Sequence, residues 1–143
     1  MTEPDRPIGY LIGSNVLLDV ATEDPQWYAW SATALASGAR TAPALINPLI
    51  YAEVSANYDT IEELDDALPK RLFRRTPLPY AAGFVAARAF LSYRSRGGAR
   101  RSPLPDFYIG AHAAVDRLTL VTRDARRYRT YFPNVAMIAP GSE

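Results

Sequence analysis

Apolar positions along this chain come in short bursts whose spacing switches between continuous runs and a period near 3.6, the signature of buried strands alternating with helices. Residues 8–12, Ile-Gly-Tyr-Leu-Ile, read as a short buried strand, followed by Gly13-Ser14-Asn15 and an apolar helical turn over 16–20. A helix is predicted over 25–36, with Pro25 at its first position, Gly38 just past its end, and Trp27, Trp30, Ala34 and Leu35 facing inward. A strand over 41–46 comes next. Helices follow over 48–58, 61–68 and 80–94, the last closed by Gly97-Gly98. The stretch 95–104 holds two glycines, three arginines and a proline and predicts a mobile basic loop. Beyond it come a helix over 105–115, a strand over 118–122, a helix over 125–131 and a strand over 135–138. That order implies a short parallel sheet between helices, an α/β fold.

Composition narrows the picture. A chain of 143 residues, 48% hydrophobic and 22% charged, is expected to form one domain with one core. The absence of cysteine rules out disulfides, thiolate metal sites and cysteine catalysis, and fits a reducing compartment, so the cytoplasm is the expected location. No apolar run approaches the roughly 18 residues a bilayer requires, and the charged opening 1–7 does not resemble a signal peptide. The net charge of +1 conceals an asymmetry. Residues 1–70 carry three basic and eleven acidic side chains; the remainder carries thirteen and four. Such segregation fits either a polyanionic partner for the basic half or ordinary solvated helix faces.

Three acids stand out against this pattern. Glu53 falls inside the apolar stripe of its helix, where a carboxylate needs an arginine, a metal ion or a proton as partner. Asp106 opens a helix on the same face as Ile109, Gly110 and Ala113, where it either complements the helix dipole or serves a site; His112 falls opposite and is expected at the surface. Asp124 ends a strand and precedes a helix, where it is either an N-cap or a group at the ligand-binding edge of a parallel sheet. Gly13 occupies the corresponding edge after the first strand. Carboxylates gathered at one edge repel unless protonated or neutralised by a cation, and oxygen donors without cysteine favour a hard ion such as Mg²⁺. No glycine-rich phosphate loop or serine–histidine arrangement supports other chemistries.

The segments carrying these residues resemble the PIN-domain ribonucleases, in particular the VapC-type toxins of toxin–antitoxin pairs. Tyr10-Leu11-Ile12-Gly13-Ser14-Asn15-Val16-Leu17-Leu18-Asp19 is similar to the family's opening segment, Ala52-Glu53-Val54-Ser55 to its second acidic motif, Asp106 to Ala113 to its third, and Leu120-Val121-Thr122-Arg123-Asp124 to its fourth. The resemblance implies a three-layer α/β/α domain and catalysis by Glu53, Asp106 and Asp124 around Mg²⁺ or Mn²⁺. It further implies an RNA substrate, an antitoxin partner, operator DNA met only through that partner, and a homodimer. The family carries an aspartate where this chain has Gly13, which removes a metal ligand and predicts weakened or lost cleavage, whether the glycine is a natural relic or an inactivating change.

Ser14 and Asn15 stand where they either orient a phosphate or a water or cap the following helix. Arg94, Arg96, Arg100 and Arg101, with Arg123, Arg126, Arg127 and Arg129 near the fourth acid, either guide an RNA backbone or are simply solvated. Trp27, Tyr28 and Trp30 serve the core or a partner groove. Two other classes stay open: a catalytically inactive PIN-like module that works by binding an antitoxin and operator DNA, and a doubly wound phospho-acceptor domain. The second would need a lysine near the acids, and the sole lysine is Lys70.

Overall fold

The computed structural model describes residues 7–100 and 104–141. Its elements in chain order are β1 (Tyr10–Ile12), α1 (Ser14–Ala21), α2 (Tyr28–Ala39), β2 (Ala44–Ile46), α3 (Pro48–Ser55), α4 (Ile61–Ala67), β3 (Phe73–Arg75), α5 (Tyr80–Ser95), α6 (Pro105–Asp116), β4 (Thr119–Val121), α7 (Arg126–Tyr131) and β5 (Met137–Ile138). The strands form one sheet of order β3-β2-β1-β4-β5. Every pairing in it is parallel.

All three residues of β1 are buried, which follows from its central place in a sheet covered by helices on both faces. Its register sets Tyr10 beside Ala44 on one flank and Thr119 on the other, and Ile12 beside Val121. On the helical layers α1 packs against α2 and α3, and α5 against α6 and α7. The architecture is the expected three-layer α/β/α arrangement. Leu11, Ile46, Ile50, Phe107 and Leu120 are fully buried between the layers, and Phe107 meets Phe90, Tyr93 and Tyr131 ring against ring.

Several local expectations need correction. The second helix starts at Tyr28 rather than Pro25, because the Asp24 carboxylate accepts from the Gln26 and Trp27 amides and holds 24–27 in a turn. Gly38 lies inside that helix rather than past its end, buried where an added Cβ would come within 3.3 Å of the Tyr10 ring. The glycine there serves close packing. Ala34 is buried as expected, whereas Trp27, Trp30 and Leu35 are only partly so. The edge strand β3 has no counterpart in the sequence reading. By contrast α5 ends where expected: Gly97 adopts φ +94° and the Gly98 amide returns to the Tyr93 carbonyl at 3.0 Å.

Candidate functional site

Three crossovers bring distant residues to the carboxyl edge of the sheet. β1 leads into Gly13, whose amide donates to the Val121 carbonyl of β4 at 2.8 Å. This bond ties the first turn to the strand that precedes Asp124. Gly13 is the N-cap of α1 by backbone geometry alone, so neither Ser14 nor Asn15 caps the helix. The Ser14 hydroxyl instead donates to Glu53 Oε1 at 2.9 Å. Glu53 projects from α3, whose start is fixed by Pro48 and by the Asn47 side chain accepting from the Ile50 amide. Asp106 stands in the first turn of α6, beside Pro105, where its charge also complements the helix dipole.

Gly13, Ser14, Asn15, Glu53 and Asp106 line one cavity of about 50 Å³, completed by Ile109, Thr122 and Tyr128. A space of this size admits an ion with a few waters and excludes a nucleobase. Asp124 does not line it; it is exposed at the rim, with its amide bonded to Thr122 Oγ1. Nor does Asp124 cap α7, whose N-cap is Ala125. Among the described residues, no group of three or more Asp, Glu or His side chains is close enough to hold a metal ion together.

Burial pushes the Glu53 carboxyl above its ordinary range; the Ser14 hydroxyl lowers it and the nearby Asp106 charge raises it again. The proximity of Asp106 is thus felt at Glu53. Asp106 itself is well compensated: Arg127 Nη1 donates to Oδ2 at 3.0 Å and the Tyr128 hydroxyl to Oδ1 at 3.1 Å. Tyr128 is a site residue that sequence reasoning missed. Its phenol is held protonated by burial first, and then by the charges of Asp106, Glu53 and Asp124, so the three acids surround one hydroxyl electrostatically.

One atom in this cavity has no partner. Asn15 Oδ1 is buried without a hydrogen bond, and an orphaned carbonyl oxygen of this kind costs about 1–3 kcal/mol unless something outside the chain meets it. Two carboxylates and an amide oxygen are hard donors, so the set suits Mg²⁺ or Mn²⁺ in kind while remaining thin in charge. Gly13 has ordinary extended φ −63° and ψ 147°, which any residue adopts. A Cβ added there would nevertheless stand 3.0 Å from the Val121 carbonyl and 3.2 Å from Asn15 Oδ1, so the pocket is packed around the glycine.

His112 is a correction. It is fully buried rather than at the surface, its Nδ1 3.0 Å from Asn47 Nδ2 and its Nε2 3.0 Å from Asp116 Oδ2. A two-sided projection fails for α6, which packs against α3, α5, α7 and β4. Arg123 is likewise a structural residue, gripping buried Asp19 through Nε at 2.8 Å and Nη2 at 3.1 Å while lying over the Trp27 ring. Arg96 lies over Tyr131, and Arg94 donates to the Arg100 carbonyl. Arg100 is exposed in the loop; Arg101 lies outside the described residues. A larger cavity of about 460 Å³ borders Asn47, Tyr51, Lys70 and Arg75, but there Arg75 and Tyr51 both bond Asp65. Lys70 therefore lines a different cavity from the acids, which removes the support a phospho-acceptor reading needs.

The parallel five-stranded sheet between helical layers, with acids at its carboxyl edge, defines a three-layer α/β/α domain. The PIN domain family matches residues 10–133, and the chain belongs to that family. No curated protein sequence matches it. Among solved structures it is similar to VapBC2 from Rickettsia felis bound to a promoter DNA fragment, at 18% identity and TM-score 0.68 over 92% of this chain and 98% of that one. It is similar to VapBC-1 from nontypeable Haemophilus influenzae at 12% identity and TM-score 0.69, covering 92% and 97%. FitAcB from Neisseria gonorrhoeae is another, at 20% identity and TM-score 0.65, covering 94% and 99%. At these identities the likeness establishes the fold.

Proposed function

We propose that this chain is the VapC-type toxin component of a toxin–antitoxin pair, a cytoplasmic endoribonuclease weakened by Gly13. The observation that carries the reading is the convergence of Glu53, Asp106 and the orphaned Asn15 Oδ1 on one small cavity at the carboxyl edge of a PIN sheet. Glu53, Asp106 and Asn15 would hold Mg²⁺ or Mn²⁺, with Asp124 at the rim. Such an ion supplies an activated water and charge stabilisation for phosphodiester hydrolysis. The chain's own residues prepare the place: Ser14 fixes the orientation of Glu53, and the Tyr128 phenol holds Asp106. The substrate backbone would lie across the mouth, with Asp124 and Arg126 exposed on the segment that follows β4.

Among the similar structures are a toxin–antitoxin complex from Klebsiella pneumoniae and VapBC2 on its promoter DNA. An apolar groove of about 330 Å³ between α1, α2 and α4, bordered by Leu17, Val20, Leu35, Leu68 and Leu72, suits the apolar face of an antitoxin helix. Operator DNA would be met through that partner. Tyr80, Phe84 and Leu91 stand exposed along α5 and suit a second copy of the chain.

Glu53→Gln and Asp106→Asn are each expected to lower metal-dependent cleavage of RNA roughly 100-fold, about 2.7 kcal/mol of barrier, in a fluorogenic oligoribonucleotide assay. Unchanged cleavage in both would remove the site. Gly13→Asp is expected to raise cleavage and tighten Mg²⁺ binding by calorimetry, with some loss of stability from the close approach to the Val121 carbonyl. No gain in either measurement would mean that position 13 has no part in holding metal. The thin donor set also favours a second reading, a catalytically inactive binding module. Wild-type protein that cleaves no RNA with Mg²⁺ or Mn²⁺ yet binds operator DNA tightly in complex with its antitoxin would establish that reading in place of the first.

A further inference from the structure

We infer that Arg127 is the resident counter-cation of this site, and that a divalent ion competes with its guanidinium for Asp106. The inference rests on the metal-site reading above and goes beyond it by naming a competitor within the chain.

Asp106 presents two oxygens, and each accepts one hydrogen bond. Arg127 Nη1 holds Oδ2 at 3.0 Å, and Tyr128 holds Oδ1 at 3.1 Å. Carboxylates crowded at a sheet edge demand positive charge, and in this structure the chain supplies it from α7. Arg127 is anchored for the purpose, with its guanidinium 5.8 Å from the centre of the Phe107 ring, one residue beyond Asp106. The pair is half exposed, at 36% and 38%, so it is a weak lock rather than a permanent one. Arg127 differs in this from Arg123, whose partner is buried and which cannot leave without stranding a charge.

Two consequences follow from electrostatics. A guanidinium left a few ångströms from a divalent ion repels it, and removing that charge tightens ion binding roughly tenfold or more even with strong solvent screening. The effect must also follow charge rather than shape, so lysine at 127 restores much of the competition. Arg127 thereby joins Gly13 as a second reason for weak metal affinity in this chain.

Mn²⁺ binding is measured by the electron paramagnetic resonance signal of free Mn²⁺ and by calorimetry, on wild type, Arg127→Ala, Arg127→Lys and Asp106→Asn, with circular dichroism confirming the fold of each. The expected result is roughly tenfold tighter binding in Arg127→Ala, affinity near wild type in Arg127→Lys, and weaker binding in Asp106→Asn. Binding in Arg127→Ala equal to or weaker than wild type, with Asp106→Asn still weakened, overturns the competitor role and leaves the site intact. Binding unaltered by Asp106→Asn overturns the site reading itself. Should Arg127→Ala not fold, Arg127→Gln carries the same comparison.

Discussion

Arg123→Ala is expected to destabilise the protein by about 3 kcal/mol, a fall in Tm of roughly 9 °C for a chain of this size. Asp19 is 2% exposed and relies on Arg123 for two hydrogen bonds; without them its charge keeps, among the described residues, the Ser31 hydroxyl at 2.8 Å. The figure sits at the low end for a broken buried pair because Arg123 itself is 31% exposed, so part of its charge is already solvated. A double mutant with Asp19→Asn should recover part of the loss, since the stranded charge is gone. Urea denaturation of wild type, Arg123→Ala and the double mutant checks this. A loss below about 0.5 kcal/mol in Arg123→Ala, the level of ordinary surface changes, would show that the pair does not hold α1 to the segment after β4.

The second large effect belongs to His112. Asn47 Oδ1 accepts from the Ile50 amide, so its Nδ2 is the group that faces the imidazole, and Nδ2 can only donate. Nδ1 of His112 therefore accepts, and Nε2–H donates to Asp116. His112→Leu leaves the Asn47 amide buried and unpaired, at a cost of about 2–3 kcal/mol. Acid adds a signature. Burial pulls the imidazole below its ordinary pKa, with Asp116 opposing, so the unfolded chain binds the proton more readily than the folded one. Stability is then full above about pH 6.5, the unfolded value, and declines as the pH falls below it. Thermal melts between pH 5 and 7 should show that decline in wild type and a flatter profile in His112→Leu. Equal slopes would mean that His112 titrates alike in both states. The same variant loosens the link between α3 and α6, which carry Glu53 and Asp106.

Much of this architecture was legible in the chain. The buried run at 10–12 and the proline starts at 48 and 105 mark their elements because local chemistry and tertiary need agree there. β3 escaped notice because Phe73-Arg74-Arg75 is an edge strand with a charged side, which no alternation of apolar residues betrays. His112 was misplaced because a helix packed on several sides has no solvent face to project. Asp106 and Asp124 were found by their positions at helix and strand ends, and Glu53 by its place inside an apolar stripe. Their ranking was not, since Asp124 at the rim and Asp106 in the grip of Arg127 and Tyr128 differ only in what folding sets beside them. Tyr128 itself carries no motif and emerges only from the packing of α7 over the cavity.

Gly13 is joined to Val121, and the cavity beside it is closed by Tyr128, more than a hundred positions further along the chain. A ribosome that has threaded out the first two-thirds of the protein has released every residue of α1 and α3 but none of the walls opposite them. The cavity, with whatever chemistry it carries, is therefore incomplete until synthesis nears its end.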